Sequence, residues 1–528
     1  MKGQNRNVTP LKFLLAGPRG IMLPSKQGYS QSGATHSRPE VAEGLKVPSH
    51  LTNRDLKKSF DVLILFTLVI ARVRIDTLAD LVLPQRHENV RELVGGWWPT
   101  ASLELLADWL SDPVTLSLIS VAFGLTVLYM VTDAASDFLG ERRTYQFKLG
   151  LIYAIIVVLV FGKSLLLIGL RHITGPAAYT HDGGVIQTEA TIQFFLAGKN
   201  PYIEDYLKTP MAEWGIDFRT ALYHYPYLPW TFIFSTPFYL LSQATLGWFD
   251  QRFVYLLLFA LTLLLAQSLA ASLPEKLLAV MLVGLNPILA SDIIFGQNDS
   301  FVLFWVVLSV WLLRWGQQSQ RERQGYLLGS LAYGLACASK PTAWFLAPFW
   351  FLFLVRDEWG QHLIPPRERW LSLGKTLLQR AWPLVVAMLL VVGPWFVWSP
   401  EAMFDDVWRW SAGAAEQPYQ IRGWGLSNFI LAFQLVPDRL AYWPFWITEV
   451  MVAGPLLVLL LWRQSRQNTL GTMLYGYVAL LFAFFYVSRF LNENYLGYLA
   501  AFLTLALLVD ETRGNEEAKR RGNDTIWT

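Results

Sequence analysis

Long apolar stretches recur along almost the whole chain, and they limit what it can fold into. A helix crosses a bilayer with roughly 20 mostly apolar residues, and about 11–13 segments of this kind are present. The segments are 60–80, 113–133, 149–170, 228–242, 252–272, 276–293, 299–315, 325–340, 341–355, 381–398, 441–462, 469–487 and 495–510. Most are continuously apolar, although 60–80 contains Arg72, Arg74, Asp76 and Asp80, and they are too long for the alternating strands of a β-barrel. The sequence therefore predicts an all-α, polytopic helical membrane protein.

Charges between the apolar segments predict which loops face the cytoplasm. Several loops and the C-terminal tail are rich in cations, namely Arg142, Arg143, Lys148, Arg314, Arg321, Arg323, Arg367, Arg369, Lys375, Arg380, Arg463, Arg466, Lys519, Arg520 and Arg521. Basic loops stay on the cytoplasmic side. The segments 171–226, 399–440 and 488–494 are predicted to lie outside. The first two are rich in acidic residues, and the first is a large loop that we expect to hold short surface helices.

This assignment makes one apolar stretch anomalous. Three stretches lie between the outer residues 226 and 297, yet only an even number of crossings can connect them. The stretch 228–242 is short and contains Pro229 and Pro237, so it is the favoured non-crossing segment. The alternative is 276–293, which is interrupted at Asn286-Pro287. Irregular backbone at membrane depth must be covered by protein or line a water-filled cavity, which indicates a site near the outer face.

Composition and patterning divide the chain into four regions. Residues 1–56 are polar and basic, and we interpret them as a partly disordered cytoplasmic tail, with an organellar transit peptide as the alternative. Residues 57–147 are predicted to form an additional two-helix membrane hairpin. The main membrane domain spans 148–510, and 511–528 is a second cytoplasmic tail. A net charge of +3 provides too little positive charge for a surface that binds the phosphate backbone of a nucleic acid, so nucleic acid is not an expected partner.

The first outer loop contains the most informative polar residues. His181 and Asp182 precede 185–197, where apolar residues fall near one face of a short surface helix that also carries Glu189. Asp182 could cap that helix, or its carboxylate could project into a cavity at the membrane boundary. His224 lies among tyrosines at the end of the loop, which form either an interfacial aromatic belt or a wall that stacks on sugars.

Further candidates follow at the breaks between apolar segments. Asp292, Asn298 and Asp299 should face a polar cavity or cap a helix, and Asp299 could simply cap the next helix. Lys340 could either extend to the interface or bind a phosphate as a point charge. Arg422 and Arg489 are cations on the predicted outer side. The sequence contains one cysteine and no clear cluster of metal ligands, so no metal site is predicted.

The order of these motifs resembles the GT-C superfamily of multi-span glycosyltransferases. The motifs are Gly198-x-Asn200-Pro201-Tyr202, Tyr225-Pro226-Tyr227-x-Pro229, Asn286-Pro287, Gly296-Gln297-Asn298-Asp299 and Lys340-Pro341-Thr342-x-Trp344-x-x-x-Pro348. The chain looks most like the bacterial polyprenol-phosphate-mannose-dependent mannosyltransferases. The dolichol-phosphate-sugar glucosyltransferases of the ER have a similar acid-and-amide cluster. The resemblance covers about residues 148–510 and leaves the first 147 outside.

The resemblance implies a lipid-linked sugar donor and a catalytic acid in the first outer loop, which Asp182 matches. It implies inverting transfer of a hexose, with mannose favoured, from a polyprenyl phosphate to a glycan or glycolipid acceptor. Cofactors are not expected. The family's paired acidic motif is reduced here to His181-Asp182, so a divalent metal is not favoured either. Lys340, Arg422 or Arg489 would stabilise the leaving phosphate, and His224, Asn298 and Asp299 would contact sugar hydroxyls.

Two other classes of membrane protein fit parts of the sequence. An enzyme that joins whole lipid-linked glycans, a ligase or polymerase, would place cations in a late outer loop, where Arg422 lies. A transporter or flippase would have paired broken helices in two matching halves, and we find no such symmetry. The predicted location is a bacterial plasma membrane, with the ER membrane as the alternative.

Overall fold

The computed structural model describes residues 60–80, 86–95, 112–214, 219–359 and 366–509. All of them belong to one unit, Asp55–Thr528. The predicted tails, 1–56 and 511–528, lie outside the described residues. The boundaries proposed for the four sequence regions therefore stay predictions.

Helices make up 78% of the structure and strands 1%. The helices of eight residues or more are α1 (Phe60–Asp80), α2 (Arg86–Leu93), α3 (Pro113–Ala134), α4 (Glu141–Thr174, with a π-helical turn at Val157–Gly162), α5 (Thr188–Leu196), α6 (Trp230–Leu246), α7 (Arg252–Leu269), α8 (Leu273–Gly284), α9 (Pro287–Phe295), α10 (Asp299–Gln318), α11 (Glu322–Cys337), α12 (Ala347–Leu354), α13 (Pro366–Val391), α14 (Phe445–Arg466), α15 (Leu470–Val487) and α16 (Glu493–Leu508). Shorter helical pieces are Ser136–Leu139, Asp182–Gln187, Pro210–Glu213, Arg219–Leu222, Pro341–Leu346, Arg356–Trp359, Gly393–Trp398, Pro400–Phe404, Asp405–Arg409, Trp410–Ala412 and Ser427–Ala432.

Seven of these helices are long and apolar enough to cross a membrane, namely α3, α4, α7, α10, α13 from Trp370 onward, α14 and α15. The bent pair α8 and α9 raises the number to eight if it is one span. Helix α16 and the run Pro341–Leu354 are apolar but shorter. These helices confirm the prediction of an all-α, multi-pass membrane protein.

The interruption at Asn286-Pro287 bends α9 by 50° relative to α8. Pro287 cannot continue the hydrogen-bond ladder of α8, but it is favourable in the first turn of a new helix. The Asn286 side chain accepts hydrogen bonds of 3.1 Å from the amides of Ile288 and Leu289, which caps α9. The chain thus ends α8 and starts α9 at this break without leaving the amides of Ile288 and Leu289 unpaired.

Helix α6 covers most of the stretch that was favoured as non-crossing. It begins beside Lys340, where the Trp230 amide donates to the carbonyl of Ala338. It is followed by Arg252, whose guanidinium donates to the carbonyls of Tyr179 and Ile294. Tyr179 belongs to the first outer loop, so both ends of α6 lie near the same end of the helical assembly. This favours 228–242 over 276–293 as the segment that does not cross.

The three predicted outer segments meet one another at that same end. Two short strands, β1 (Arg422–Gly423) and β2 (Phe490–Leu491), pair in parallel and join the second segment to the third. The His224 ring of the first segment lies 2.8 Å from the carboxylate of Asp406 in the second. Segments far apart in the sequence therefore form one continuous cap over the ends of the helices.

Candidate functional site

A cavity of about 990 Å³ lies where this cap meets the helix ends. That volume is at the upper end of the range for sites that bind small molecules. Its walls combine polar loop residues with aromatic residues of the membrane helices. The lining includes His181, Gly183, Gln187, Trp214, Tyr227, Ser291, Asp292, Gln297, Asn298, Lys340, Trp344, Phe345, Trp408, Trp410, Tyr419, Arg422, Arg439, Phe484, Phe485, Asn492, Glu493 and Asn494.

The first outer loop enters the cavity wall through the π-helical turn Asp182–Gln187, which leads directly into α5. The His181 amide donates a 2.8 Å hydrogen bond to the carbonyl of Phe295, which anchors the turn at the end of α9. His181 and Gly183 both line the cavity. The side chain of Asp182 lies outside the described part of the structure, so its predicted role as a base stays a prediction.

The short helix predicted for 185–197 is present as the π turn and α5. Val185 and Ile192 of its apolar face are fully buried, whereas Leu196 is exposed. Glu189 points away from the cavity lining. Its carboxylate pairs with the Arg171 guanidinium at 2.7 Å and accepts from the amide of Gln251. Glu189 therefore holds the loop against α4 and α7 and does not face the cavity.

Asp250 joins this ion-pair group from the linker between α6 and α7. Its carboxylate lies 2.8 Å from Arg171 and 2.7 Å from Arg252. Burial alone would raise the pKa of Asp250, but Arg252 and Arg171 outweigh it and hold that pKa well below its usual range. The group is thus a buried ion-pair anchor that fixes the outer ends of α4, α5 and α7.

Lys340 faces the cavity at the break between α11 and α12. Its ammonium lies 2.6 Å from Asp299 and 3.2 Å from the side-chain oxygen of Asn298. Asn494 donates to the other oxygen of the Asp299 carboxylate. The Lys340 ammonium also lies over the ring of Tyr495, 5.2 Å from its centroid. The predicted cluster of Asn298, Asp299 and Lys340 therefore forms a connected polar patch.

The two outer arginines have different surroundings. Arg422 is exposed and lines the cavity next to Arg439, which sequence reasoning did not single out. Arg489 lies outside the lining, and its guanidinium donates to the carbonyls of Tyr419, Arg439, Leu440 and Ala441. Burial lowers the pKa of Arg489 to about 10. Arg489 therefore orders the loop that carries Arg439, and Arg422 and Arg439 present cations to the cavity.

His224 is buried beneath the cavity wall. Its Nδ1 lies 2.8 Å from Asp406 and 3.8 Å from Asp405. The second oxygen of Asp406 accepts from the amide of Tyr225. Burial raises the pKa of Asp406 to about 6, against the opposing effects of these hydrogen bonds. His224, Asp405 and Asp406 are close enough to share a metal ion, but the direct pairing of His224 with Asp406 explains their approach by itself.

Two carboxylates in the lining were not among the predicted site residues. Asp292 lies in the last turn of α9, and Glu493 opens α16. Neither belongs to a pattern with a known ligand spacing, and Asp292 is a single acid in an apolar stretch. The cost of a carboxylate at membrane depth is the sequence signal that predicts a polar environment for Asp292, and it lines the cavity.

Comparison of the chain with protein-family models, with curated proteins and with solved structures found no match. The class that the described residues define is a multi-pass helical membrane protein with a large cavity of mixed polar and apolar lining at one end of its helices.

Proposed function

We propose that this protein is an integral membrane glycosyltransferase of the GT-C type. It would transfer a hexose, with mannose favoured, from a polyprenyl phosphate to a hydroxyl of a glycan or glycolipid at the outer face of a bacterial plasma membrane. The observation that carries the proposal is the composition of the cavity. Acids, cations and indole rings from the predicted outer segments share one chamber with phenylalanines of the membrane helices.

The mixed wall suits a donor that is part lipid and part sugar phosphate. Phe345 of the run before α12 and Phe484 of α15 line the cavity with their ring centroids 4.6 Å apart. They provide an apolar side for the first isoprene units of the donor lipid. Arg422 and Arg439 lie in the same lining, whereas the ammonium of Lys340 is already paired with Asp299. Positive charge there would attract the phosphate and stabilise it as it leaves.

Aromatic side chains supply surfaces on which a sugar ring can stack. Trp344 and Trp408 lie with centroids 5.3 Å apart, and Trp410 meets Tyr419 edge to face at 4.8 Å. All four line the cavity. Indole faces bury the apolar side of a pyranose and leave its hydroxyls free for polar partners. This arrangement supports the interpretation of the cavity as a sugar site.

The proposed reaction is a single displacement. The acceptor oxygen attacks the anomeric carbon, and its proton passes to the carboxylate of Asp182. The bond between the anomeric carbon and the phosphate oxygen breaks, and its electron pair leaves with the polyprenyl phosphate. One such displacement inverts the anomeric centre. General-base assistance of this kind is worth roughly 10²–10⁴-fold in rate.

A direct test uses the full chain in lipid nanodiscs with radiolabelled polyprenyl-phosphate mannose or glucose and a mixture of glycan acceptors. We expect transfer by the unmodified protein and a loss of about 100-fold or more in Asp182→Asn. Asp205→Asn is the matched control, since Asp205 is an exposed acid of the same loop. Full activity of Asp182→Asn would overturn the base assignment.

The same preparation separates the alternative functions. A ligase or polymerase would transfer a whole glycan from a lipid-linked oligosaccharide and leave the monosaccharide donors untouched. The exposure of Arg422 in the late loop is the feature that favours this alternative. A flippase in liposomes would move the labelled lipid across the bilayer without forming a new glycosidic bond. Either result would replace the proposed function.

A further inference from the structure

Asp292 is a buried acid in the wall of the cavity. Its side chain is 3% exposed, and it lies one residue after Ser291, which also lines the cavity. Helix α9 ends at Phe295, one turn after Asp292, because Gly296 adopts φ +88°. The amides of Gly296 and Gln297 donate to the Asp292 carbonyl at 2.8 and 2.6 Å. The capped end of α9 therefore fixes the position of the Asp292 carboxylate in the cavity wall.

The carboxylate itself is not satisfied by the protein. Its Oδ2 is buried and has no hydrogen-bond partner within the described ranges. The other buried acids of this region differ in this respect. Asp299 is bound by Lys340 and Asn494, and Asp406 by His224 and the amide of Tyr225. A buried oxygen without a partner is costly, so a ligand that donates to it from the cavity would be stabilised there.

The surroundings of Asp292 indicate what that ligand is. Asp299 and Glu493 raise the negative charge near it, whereas Lys340 and Arg72 offset part of that charge from other directions. Another anion would be repelled there. A metal would need further ligands close by, and the one candidate metal group among the described side chains is at His224. A neutral ligand rich in O–H donors fits best, and a hexose supplies several such hydroxyls.

We propose that Asp292 binds one or two hydroxyls of the donor hexose and thereby determines which sugar the enzyme accepts. The inference rests on the proposed function and adds the polar contact that selects the sugar. The sequence predicts that His224 and Asp299 contact the sugar hydroxyls, but their side chains already bind protein groups, and we assign this contact to Asp292 instead. Asp292 would hold the hexose ring against Trp344 and Trp408, while Asp182 accepts the proton of the acceptor hydroxyl.

The test compares the unmodified protein and Asp292→Asn with the preferred donor and with its monodeoxy analogues, one for each ring position. Loss of a hydroxyl that leaves the buried Asp292 oxygen unpaired should lower kcat/KM by about 10- to 100-fold. We expect Asp292→Asn to show a similar loss with the parent donor. For the variant, kcat/KM should be no lower with the one or two analogues that lack the contacted hydroxyl than with the parent donor. With each of the other analogues, the variant should lose the same factor as the unmodified protein does.

A structural role for Asp292 would give a different pattern. Replacing an acid whose buried oxygen has no partner should leave the unfolding temperature of Asp292→Asn unchanged or raised, so lower activity with a lower unfolding temperature would contradict the inference. Equal additional losses with every deoxy analogue would also overturn it, as would full activity of the variant with the parent donor. If the unmodified protein transfers no monosaccharide at all, the proposed function fails and this inference fails with it. Asp205→Asn controls for the change of acid to amide.

Discussion

Gly184 of the first loop and Gly296 at the end of α9 touch backbone to backbone. An added Cβ on Gly184 would overlap the Gly296 carbonyl oxygen, and one on Gly296 would overlap the side chain of Val185. The contact places the turn that begins at Asp182 against the motif Gly296-Gln297-Asn298-Asp299. Two motifs separated by a long stretch of sequence therefore share one wall of the cavity.

We predict that Gly184→Ala will displace the turn from α9 and reduce glycosyl transfer by about 100-fold, since a shift of about 1 Å at a reacting group is enough for such a loss. Transfer assays on nanodisc preparations measure this effect. Gly150→Ala is the control, because an added Cβ on Gly150 meets no atom within 4 Å. Normal activity of Gly184→Ala would show that the contact between turn and helix does not position the reaction.

The helices were predictable because each long apolar segment must form a continuous helix in lipid. The break at Asn286-Pro287 was visible for the same reason, since proline ends one helix and starts the next. The division of the sequence near Lys340 into the segments 325–340 and 341–355 was predicted as well, and it appears as α11 and the run Pro341–Leu354. Hydropathy does not show whether such short helices cross the membrane, because that depends on the neighbours that cover their ends.

The candidate site was predictable only where polar residues interrupt apolar segments. Asn298 and Lys340 were found in this way, and both line the cavity. Arg489 and Arg422 look equivalent in sequence, yet one guanidinium is held by backbone carbonyls and the other faces the cavity. His224 and Asp406 are 182 residues apart, so their pairing depends on long-range packing that no local pattern reveals.

Asp250 gives a prediction about stability. Asp250→Asn removes the carboxylate that pairs with the buried guanidiniums of Arg252 and Arg171. Breaking a buried pair by removal of one partner costs about 3–5 kcal/mol. We expect the free energy of unfolding in detergent to fall by that amount. Exposed Asp205→Asn should change it by less than about 0.5 kcal/mol.

Raised salt offers a second check on the Asp250 group. Buried pairs are screened much less than exposed ones. The difference in unfolding free energy between the unmodified protein and Asp250→Asn should therefore stay nearly constant as the salt concentration rises. A difference that disappears at high salt would mean that solvent reaches the group.

Asp406 makes the stability of the outer cap depend on pH. Its pKa in the folded protein is about 6 against an ordinary value of 3.8, so between these values the folded state binds more protons than the unfolded state. The contribution of Asp406 to stability is therefore fully present below pH 3.8 and is lost as the pH rises through about 6. The facing groups are His224, Asp405 and the amide of Tyr225.

Unfolding temperatures of the unmodified protein and of Asp406→Asn, measured from pH 4 to 8, test this dependence. We expect the advantage of the unmodified protein over the variant to decrease between about pH 4 and 6 and then to level off, because the asparagine does not titrate. An advantage that grows across this range would mean that the pairing with His224 outweighs burial.

Arg72 connects the predicted N-terminal hairpin to the cavity wall. It lies in α1, is fully buried, and its guanidinium donates to the Pro287 carbonyl at 2.7 Å and to the Ser291 hydroxyl at 2.6 Å. Both acceptors belong to α9, the half-helix that carries Asp292. The first 147 residues lie outside the motifs of the resemblance, yet this contact makes one of their helices a support of the site.

We predict that Arg72→Met will loosen α9 and lower the free energy of unfolding by about 1.5–3 kcal/mol, the usual contribution of hydrogen bonds to a charged group. Transfer activity should fall by about 10-fold where the protein is still folded, because α9 no longer holds Asp292 at a fixed depth. Arg74→Met is the matched control, since Arg74 lies on the same helix and is exposed. If Arg72→Met and Arg74→Met behave alike in both measurements, α1 makes no contribution to the cavity, and the hairpin must serve some purpose apart from the reaction.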